Sequence, residues 1–420
     1  MLRQDFLGPG GPAQELRVEV TSSLGQVGRE AWEQLDGWGN LYCSYPYLLA
    51  VERSSPTPTA YVLLREAGGR LVAGLPGYLY SGGRDPGLDH YEPFRAGANW
   101  VLGPKLQERP WRPTWLAGSR SGYVTTFPIH PDWSSERRAV TALLLQASGA
   151  LADASAATSL MVPWLTSAAA AQALPALRRP EHLVLAGPSC SIELGADGME
   201  GYLSRLSSSR RKAARQERKR FLESGLEVQS ADLASCLAEL APLAARLQRR
   251  YGHRFTEREI TTQLHAQAEQ LNPESLVLLC RRRGRIAGFS LLFQWGDTLY
   301  GRLAGFDYRA TAGTAAYFNL CFHLPLELAA DRGLRRLHLG LASWRAKVLR
   351  GADFDPAWQL ICPPRPVRGA WARAARAGDQ EAAGWWAGQF PRLVDLEQDL
   401  RWTRAGLRRA ATDPSLGQQT

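Results

Sequence analysis

The sequence predicts an α+β protein built from two related domains and a helical C-terminal tail. Three observations carry that prediction. Residues 61–72 (YVLLREAGGRLV) and 276–287 (LVLLCRRRGRIA) each read as a short apolar strand, a polar turn ending in Gly-Arg and a second apolar strand, the pattern of a hairpin. After each hairpin the chain continues into a helix and then one more strand, so the repeat extends beyond the turn. Hydrophobic residues make up 45% of the 420 and aromatic residues 9%, enough to fill packed cores and to exclude a disordered chain.

In the second copy the order is strand Ser275–Cys280, strand Arg285–Phe293, a turn at Gln294–Thr298 and strand Leu299–Phe306. A loop over Asp307–Gly313 leads to a helix over Thr314–Asp331, which Gly333 ends, and to strand Arg335–Gly340. In the first copy a Gly/Pro-rich stretch, roughly 81–120, is followed by strand Tyr123–Ile129, helix Ser134–Leu151 and strand Ser159–Leu165. The domain limits are therefore placed at 1–190 and 191–362. Residues 363–420 form a tail whose Trp371, Trp385, Trp386 and Trp402 are too much apolar surface to leave in water, so helices packed on the body are expected.

Charge is unevenly spread. The chain has 50 Lys+Arg against 40 Asp+Glu, a net +10, and its only lysines are Lys105, Lys212, Lys219 and Lys347. An arginine excess of this kind follows from GC-rich codons, which lowers the weight of any single arginine and raises that of each lysine. Residues 204–220 (SRLSSSRRKAARQERKR) hold eight basic residues and one glutamate, so one short helix carries most of the net charge. Its Arg211, Arg215 and Arg218 share a helical face and are candidates for holding phosphates of a polyanion such as RNA, a nucleotide diphosphate or an anionic lipid surface. The segment Gly301–Tyr308, with its continuation through Thr311–Thr314, is a second candidate, because small residues entering a helix expose backbone N–H groups. The third is Ser343–Ala352, which follows a strand and carries Lys347 beside Trp344 and Arg350.

Other classes are disfavoured. No stretch of about 18 apolar residues predicts a membrane span. The first residues lack the apolar core of a signal peptide, and the six cysteines are dispersed without a C-x-x-C pair, which predicts a reducing, cytoplasmic setting with no metal site. No Ser/His/Asp spacing stands out.

Four segments carry a family likeness: SRRKAARQERKRFLESGLEV (209–228), YGRLAGFDYRATAGTAAYF (300–318), LELAADRGL (326–334) and KVLRGADFDP (347–356). Together they resemble the FemAB-like tandem-GNAT superfamily of peptidoglycan aminoacyltransferases and cellulose-biosynthesis-associated acetyltransferases. The resemblance is good over about 195–356, weaker over 15–190 and absent from the tail. It implies two GNAT-like folds and transfer of an acyl or aminoacyl group to an amine, with the donor a substrate and no resident cofactor. The GNAT pattern for the coenzyme A pyrophosphate, Gln/Arg-x-x-Gly-x-Gly/Ala, is missing from Arg309–Ala315, which favours aminoacyl-tRNA over acyl-CoA as donor. A long coiled-coil insertion, which some cell-wall members use for tRNA, is also missing. The resemblance further implies Lys347 as a stabiliser of an oxyanion or phosphate, Asp307 as a base for the amine, and Tyr317 as a group orienting the acceptor. Arg350, Trp344 and the basic helix would hold phosphates. The acceptor is expected to be a small-molecule amine or an envelope precursor, and DNA is not expected as a partner. A degenerate, non-catalytic module docking RNA or a membrane surface is the alternative reading.

Overall fold

The computed structural model describes residues 2–36, 39–82, 85, 111–120, 122–341 and 343–412; much of the 81–120 stretch lies outside them. Twelve strands are described along the chain. They are β1 (Arg17–Thr21), β2 (Thr59–Arg65), β3 (Leu71–Tyr80), β4 (Thr114–Ala117), β5 (Ser159–Leu165) and β6 (Leu183–Glu193). The remaining six are β7 (Glu227–Ala231), β8 (Ser275–Arg282), β9 (Arg285–Trp295), β10 (Thr298–Phe306), β11 (Arg336–Gly340) and β12 (Asp353–Cys362). The chain forms two compact units, one made of Met1–Pro188 with Asp355–Thr420 and the other of Ser189–Phe354. The first unit is thus discontinuous in sequence, and the second is an insertion within it.

In the first unit β1 to β5 lie side by side in chain order and β12 completes the row against β5. All these pairs are antiparallel except β4 with β5. The repeated hairpin is β2–β3, closed by Glu66–Arg70 with Gly69 in the left-handed region (φ 87°), where a side chain would strain the turn. The expected strand at Tyr123–Ile129 does not form. Pro128 has no N–H to give a ladder, and the segment makes single bridges instead, Thr125 to Leu165 and Ile129 to Asp36 and Ala73. The helix after it runs Arg137–Ala154 and buries Val140, Leu144 and Leu145.

The tail belongs to this unit. Its helix Arg368–Gln389 buries Trp371 completely, edge-on to Trp111 at 5.6 Å between ring centroids, with the indole N–H donating to the Glu181 carbonyl at 3.2 Å. Arg368 pairs with the buried Asp5 at 2.8 Å, and the Trp402 indole N–H donates to Asp399 at 3.1 Å. A tryptophan whose one polar atom is satisfied can be buried at no polar cost, which is how so apolar a tail is kept out of water.

The second unit is a meander, β8–β9–β10, flanked by β7 on β8 and by β11 on β10. The last residues of β6, Cys190–Glu193, pair with the other side of β11. Helix Leu233–Arg250 lies across β10 and buries Leu237, Leu240, Leu243 and Ala244. It comes so near that a Cβ on Gly305 of β10 would stand 2.8 Å from the Leu243 carbonyl carbon and 2.9 Å from the Ala244 nitrogen. The helix expected at Thr314–Asp331 is broken into α-helix Ala316–Phe318, a π-turn Asn319–His323 and α-helix Leu324–Asp331. Pro325 cannot donate to the carbonyl of Cys321 four residues back, and the helix widens at that place.

Gly305→Ala tests the close approach. A backbone on the far side cannot yield as a flexible side chain does, so the variant should lose about 1–3 kcal/mol of stability, read from the shift of its chemical denaturation midpoint at unchanged slope.

Candidate functional site

A cavity of about 440 Å³ opens in the second unit where two parallel strands part. β10 and β11 pair only over Thr298–Tyr300 and Arg336–His338. Beyond Tyr300, β10 carries a bulge between Gly301 and Leu303 and bends away, so Leu303, Ala304 and Phe306 face space that β11 would otherwise fill. Bulges, π-turns and left-handed non-glycine residues concentrate at functional sites. All three occur around this cavity. The π-turn supplies Cys321 and Phe322 to the wall, Ala315 (φ 58°) precedes Tyr317, and Ser343 (φ 58°) precedes Lys347.

Lys347 lies in the short helix Trp344–Val348 and is 6% exposed. Its Nζ donates to the carbonyl oxygens of Leu339 and Gly340, at 2.6 and 2.9 Å, at the end of β11. The charge therefore sits at the carboxyl end of a strand with two dipoles for partners and no carboxylate. Burial pushes its ammonium down to about 8, against a small opposing influence from Cys190 and Cys321. Burial likewise pushes the Cys321 thiol up to about 12, and raises the Tyr317 hydroxyl well above its ordinary value. At neutral pH the cavity thus holds a charged lysine, a protonated thiol and a protonated phenol. His338, one residue before Leu339, is pushed down to about 3 by burial and by the nearby Lys347 and Arg336, so it stays neutral.

The other residues singled out in the sequence fall in different places. Tyr317 lines the cavity, its ring edge-on to Phe306 and Phe322 at 5.6 and 5.8 Å. Asp307 does not line it. The Asp307 Oδ1 accepts the N–H groups of Arg309 and Ala310 at 3.0 and 3.2 Å, so the carboxylate holds the turn after β10. Trp344 is half-buried under the Arg345 guanidinium and is also outside the lining.

The basic run forms helix Ser208–Leu222, started by Ser207, whose hydroxyl accepts the N–H of Arg210. Its three aligned arginines have separate fates. Arg211 donates to the carbonyls of Leu203, Ser204 and Leu206 at the end of the preceding helix. Arg218 bonds Asn319 and Glu327, at 3.2 and 2.8 Å. Arg215 is exposed, along with Lys212, Lys219 and Arg220, and these four form the outward basic surface. Arg350 is 8% exposed, its guanidinium 3.4 Å from the centre of the Phe318 ring and bonded to Glu217 Oε1 at 2.5 Å.

Glu217 is the residue that sequence reasoning missed. It is the single acid in the basic run, and that isolation was its one visible signal. Its Oε2 bonds His323 Nε2 at 2.8 Å and its Oε1 holds Arg350, while its backbone carbonyl accepts from Asn319 at 3.0 Å. One side chain thereby ties the basic helix to the π-turn and to the residue three beyond Lys347. Burial alone would raise the Glu217 carboxyl; the His323 hydrogen bond and the Arg350 guanidinium outweigh it and hold it below the usual range. Ser290 and Arg250 were also unmarked in the sequence and line the cavity, Arg250 lying 4.2 Å over the ring of Tyr308, a residue of the second candidate segment.

Glu217→Gln should cost about 1–3 kcal/mol, since Arg350 keeps its buried charge and loses its counter-charge. A carboxyl with a lowered native pKa stabilises fully above its unfolded value, near 4.5, and its contribution disappears as pH falls through the native value. The stability gap between the two proteins should therefore be full at pH 6–7 and close on acidification, as denaturation at a series of pH values would read.

Among the described residues no group of three or more His, Cys, Asp or Glu could hold a metal ion, and no helix is long and apolar enough to cross a membrane. No curated protein matches the chain in sequence. Solved structures that align at a TM-score above 0.5 share its fold. FemX aligns over 84% of this chain and 100% of its own at 11% identity and a TM-score of 0.51. A conserved protein of unknown function from Bacteroides thetaiotaomicron aligns over 83% and 100%, also at 11% and 0.51. L-PGS from Bacillus licheniformis aligns over 85% and 96% at 9% identity and a TM-score of 0.48. The FemAB-like family model, described as peptidoglycan biosynthesis/recognition, matches residues 23–361, and the chain belongs to that family.

Proposed function

We propose that the protein is an acyltransferase that moves an aminoacyl or acyl group from an activated ester to an amine on an envelope precursor, with aminoacyl-tRNA as the donor. The observation that carries this reading is Lys347: a buried ammonium, without a carboxylate, at the end of β11 beside an open cavity. Aminolysis builds negative charge on the carbonyl oxygen as the amine nitrogen attacks. A fixed cation in a site of low dielectric stabilises that charge more than water does. As the carbon–oxygen bond to the donor breaks, the departing hydroxyl takes a proton, and the added nitrogen loses one. Lys347 is the acid closest in pKa to neutrality among the cavity groups described above, so it can supply the first proton and be recharged by the second. Tyr317, held protonated, orients by donating; it does not act as a base. With Asp307 committed to its turn, the acceptor enters as the free amine.

Two features support tRNA over coenzyme A. The N–H groups of Arg309, Ala310, Thr311, Thr314 and Ala316 are bonded within the turn, to Asp307, Thr311 and Thr314, and so are not turned to a pyrophosphate. The outward surface of Lys212, Arg215, Lys219 and Arg220 suits the repeated phosphates of a nucleic-acid strand.

Purified protein supplied with charged tRNA and an amine acceptor should transfer the aminoacyl group, and acetyl-CoA should not replace it. Lys347→Met should lower kcat by about a hundredfold or more with the fold intact by circular dichroism. Because the ammonium is the working form and loses its proton near pH 8, the rate should fall on the alkaline side of that value. Turnover with acetyl-CoA alone, or an active Lys347→Met protein, would sink the reading. Replacing Lys212 and Arg215 by Glu should raise KM for tRNA and flatten its salt dependence, leaving kcat nearly unchanged.

A further inference from the structure

Among the described residues the charge lining the cavity has one sign. Lys347 lies inside it, Arg250 is exposed and therefore stands at its rim, and Arg302 comes from the bulge of β10; the described lining contains no Asp or Glu. The two carboxylates discussed above are engaged elsewhere, Glu217 by Arg350 and His323 and Asp307 by its own turn. Arg250 rests on the Tyr308 ring, a contact that leaves the edge of its guanidinium able to donate. Around these cations the walls are apolar: Leu247, Leu303, Phe306 and Phe322.

A buried charge is costly unless it meets an opposite one, and Lys347 meets only carbonyl dipoles. A group brought into this space with its own positive end would add desolvation and like-charge repulsion. A group with a negative end would relieve both. We infer that the cavity selects an acyl group ending in a carboxylate, with its carbonyl at Lys347 and its distal carboxylate towards Arg250, and that it rejects acyl groups ending in an ammonium. This rests on the reading of the cavity as the acyl site. The shared chemistry is a dicarboxylic acyl group, whether it arrives as an acidic aminoacyl ester or as a plain dicarboxylic monoester. The volume of about 440 Å³ leaves room for such a chain together with the attacking amine.

Three acids of equal length isolate the distal charge: glutarate, pentanoate and 5-aminopentanoate each carry one carboxylate for Lys347 and end in an anion, a methyl group and a cation. Titrated calorimetrically into the full-length protein, glutarate should bind about tenfold or more tighter than 5-aminopentanoate, with pentanoate between them. Arg250→Gln should remove most of the glutarate advantage over pentanoate without weakening pentanoate, and Lys347→Met should weaken all three. L-glutamate binding as well as glutarate would identify the aminoacyl source; much weaker binding would identify the plain dicarboxylic one. The inference fails if 5-aminopentanoate binds as tightly as glutarate, if none of the three binds the folded protein, or if Arg250→Gln leaves the preference unchanged. Binding needs no turnover, so the charge preference and the transferase activity are read separately. The expected order in a protein that transfers nothing would remove the transferase reading alone. Transfer of a lysyl group as fast as a glutamyl group would remove the charge preference alone.

Discussion

β10 and β11 stay together for three residue pairs and then separate, and the chemistry of the second unit depends on that early separation. Parallel strands joined by hydrogen bonds leave no room between them. Once β10 bulges at Arg302, the next carbonyls of β11, those of Leu339 and Gly340, have no strand partner on that side. A lysine ammonium satisfies them. The same interruption that makes the space therefore also fixes the charge inside it, and neither could exist in a continuous ladder.

Holding the space open requires support from outside it, because parted strands would close if the surrounding elements could move. Glu217 contributes to this support. It fastens the π-turn through His323 and Asn319, and the segment after Lys347 through Arg350, from a helix whose outer face is basic. Arg218 repeats the arrangement one residue on, through Asn319 and Glu327. The helix thus has two electrostatic faces. The inner one spends its charges on the fold; the outer one leaves four cations in solvent.

Much of this could be read from the sequence, for reasons that differ by residue. The hairpins and the meander were visible because their periodicity is local. Lys347 was visible because lysine is rare in an arginine-rich chain. Asp307 misled because its place after a strand is shared by bases and by turn-forming residues, and only the positions of the Arg309 and Ala310 N–H groups separate the two. Arg211, Arg215 and Arg218 were correctly placed on one helix, but helical spacing says nothing of which carbonyl or carboxylate lies opposite. The π-turn hung on Pro325 within an otherwise regular helix. β12 was hidden because its partner β5 lies far upstream, and no local pattern encodes so distant a pairing.

That distant pairing has a consequence for how the chain is made. Residues of β5 leave the ribosome long before β12 does, and the tail tryptophans follow last of all. The inserted unit, Ser189–Phe354, has all its strands in hand before the flanking unit has its final one. During synthesis the second-numbered body is thus first to be complete, while β5 waits with one edge open. The open edge of β5 stays available for stray strand pairing until β12 arrives.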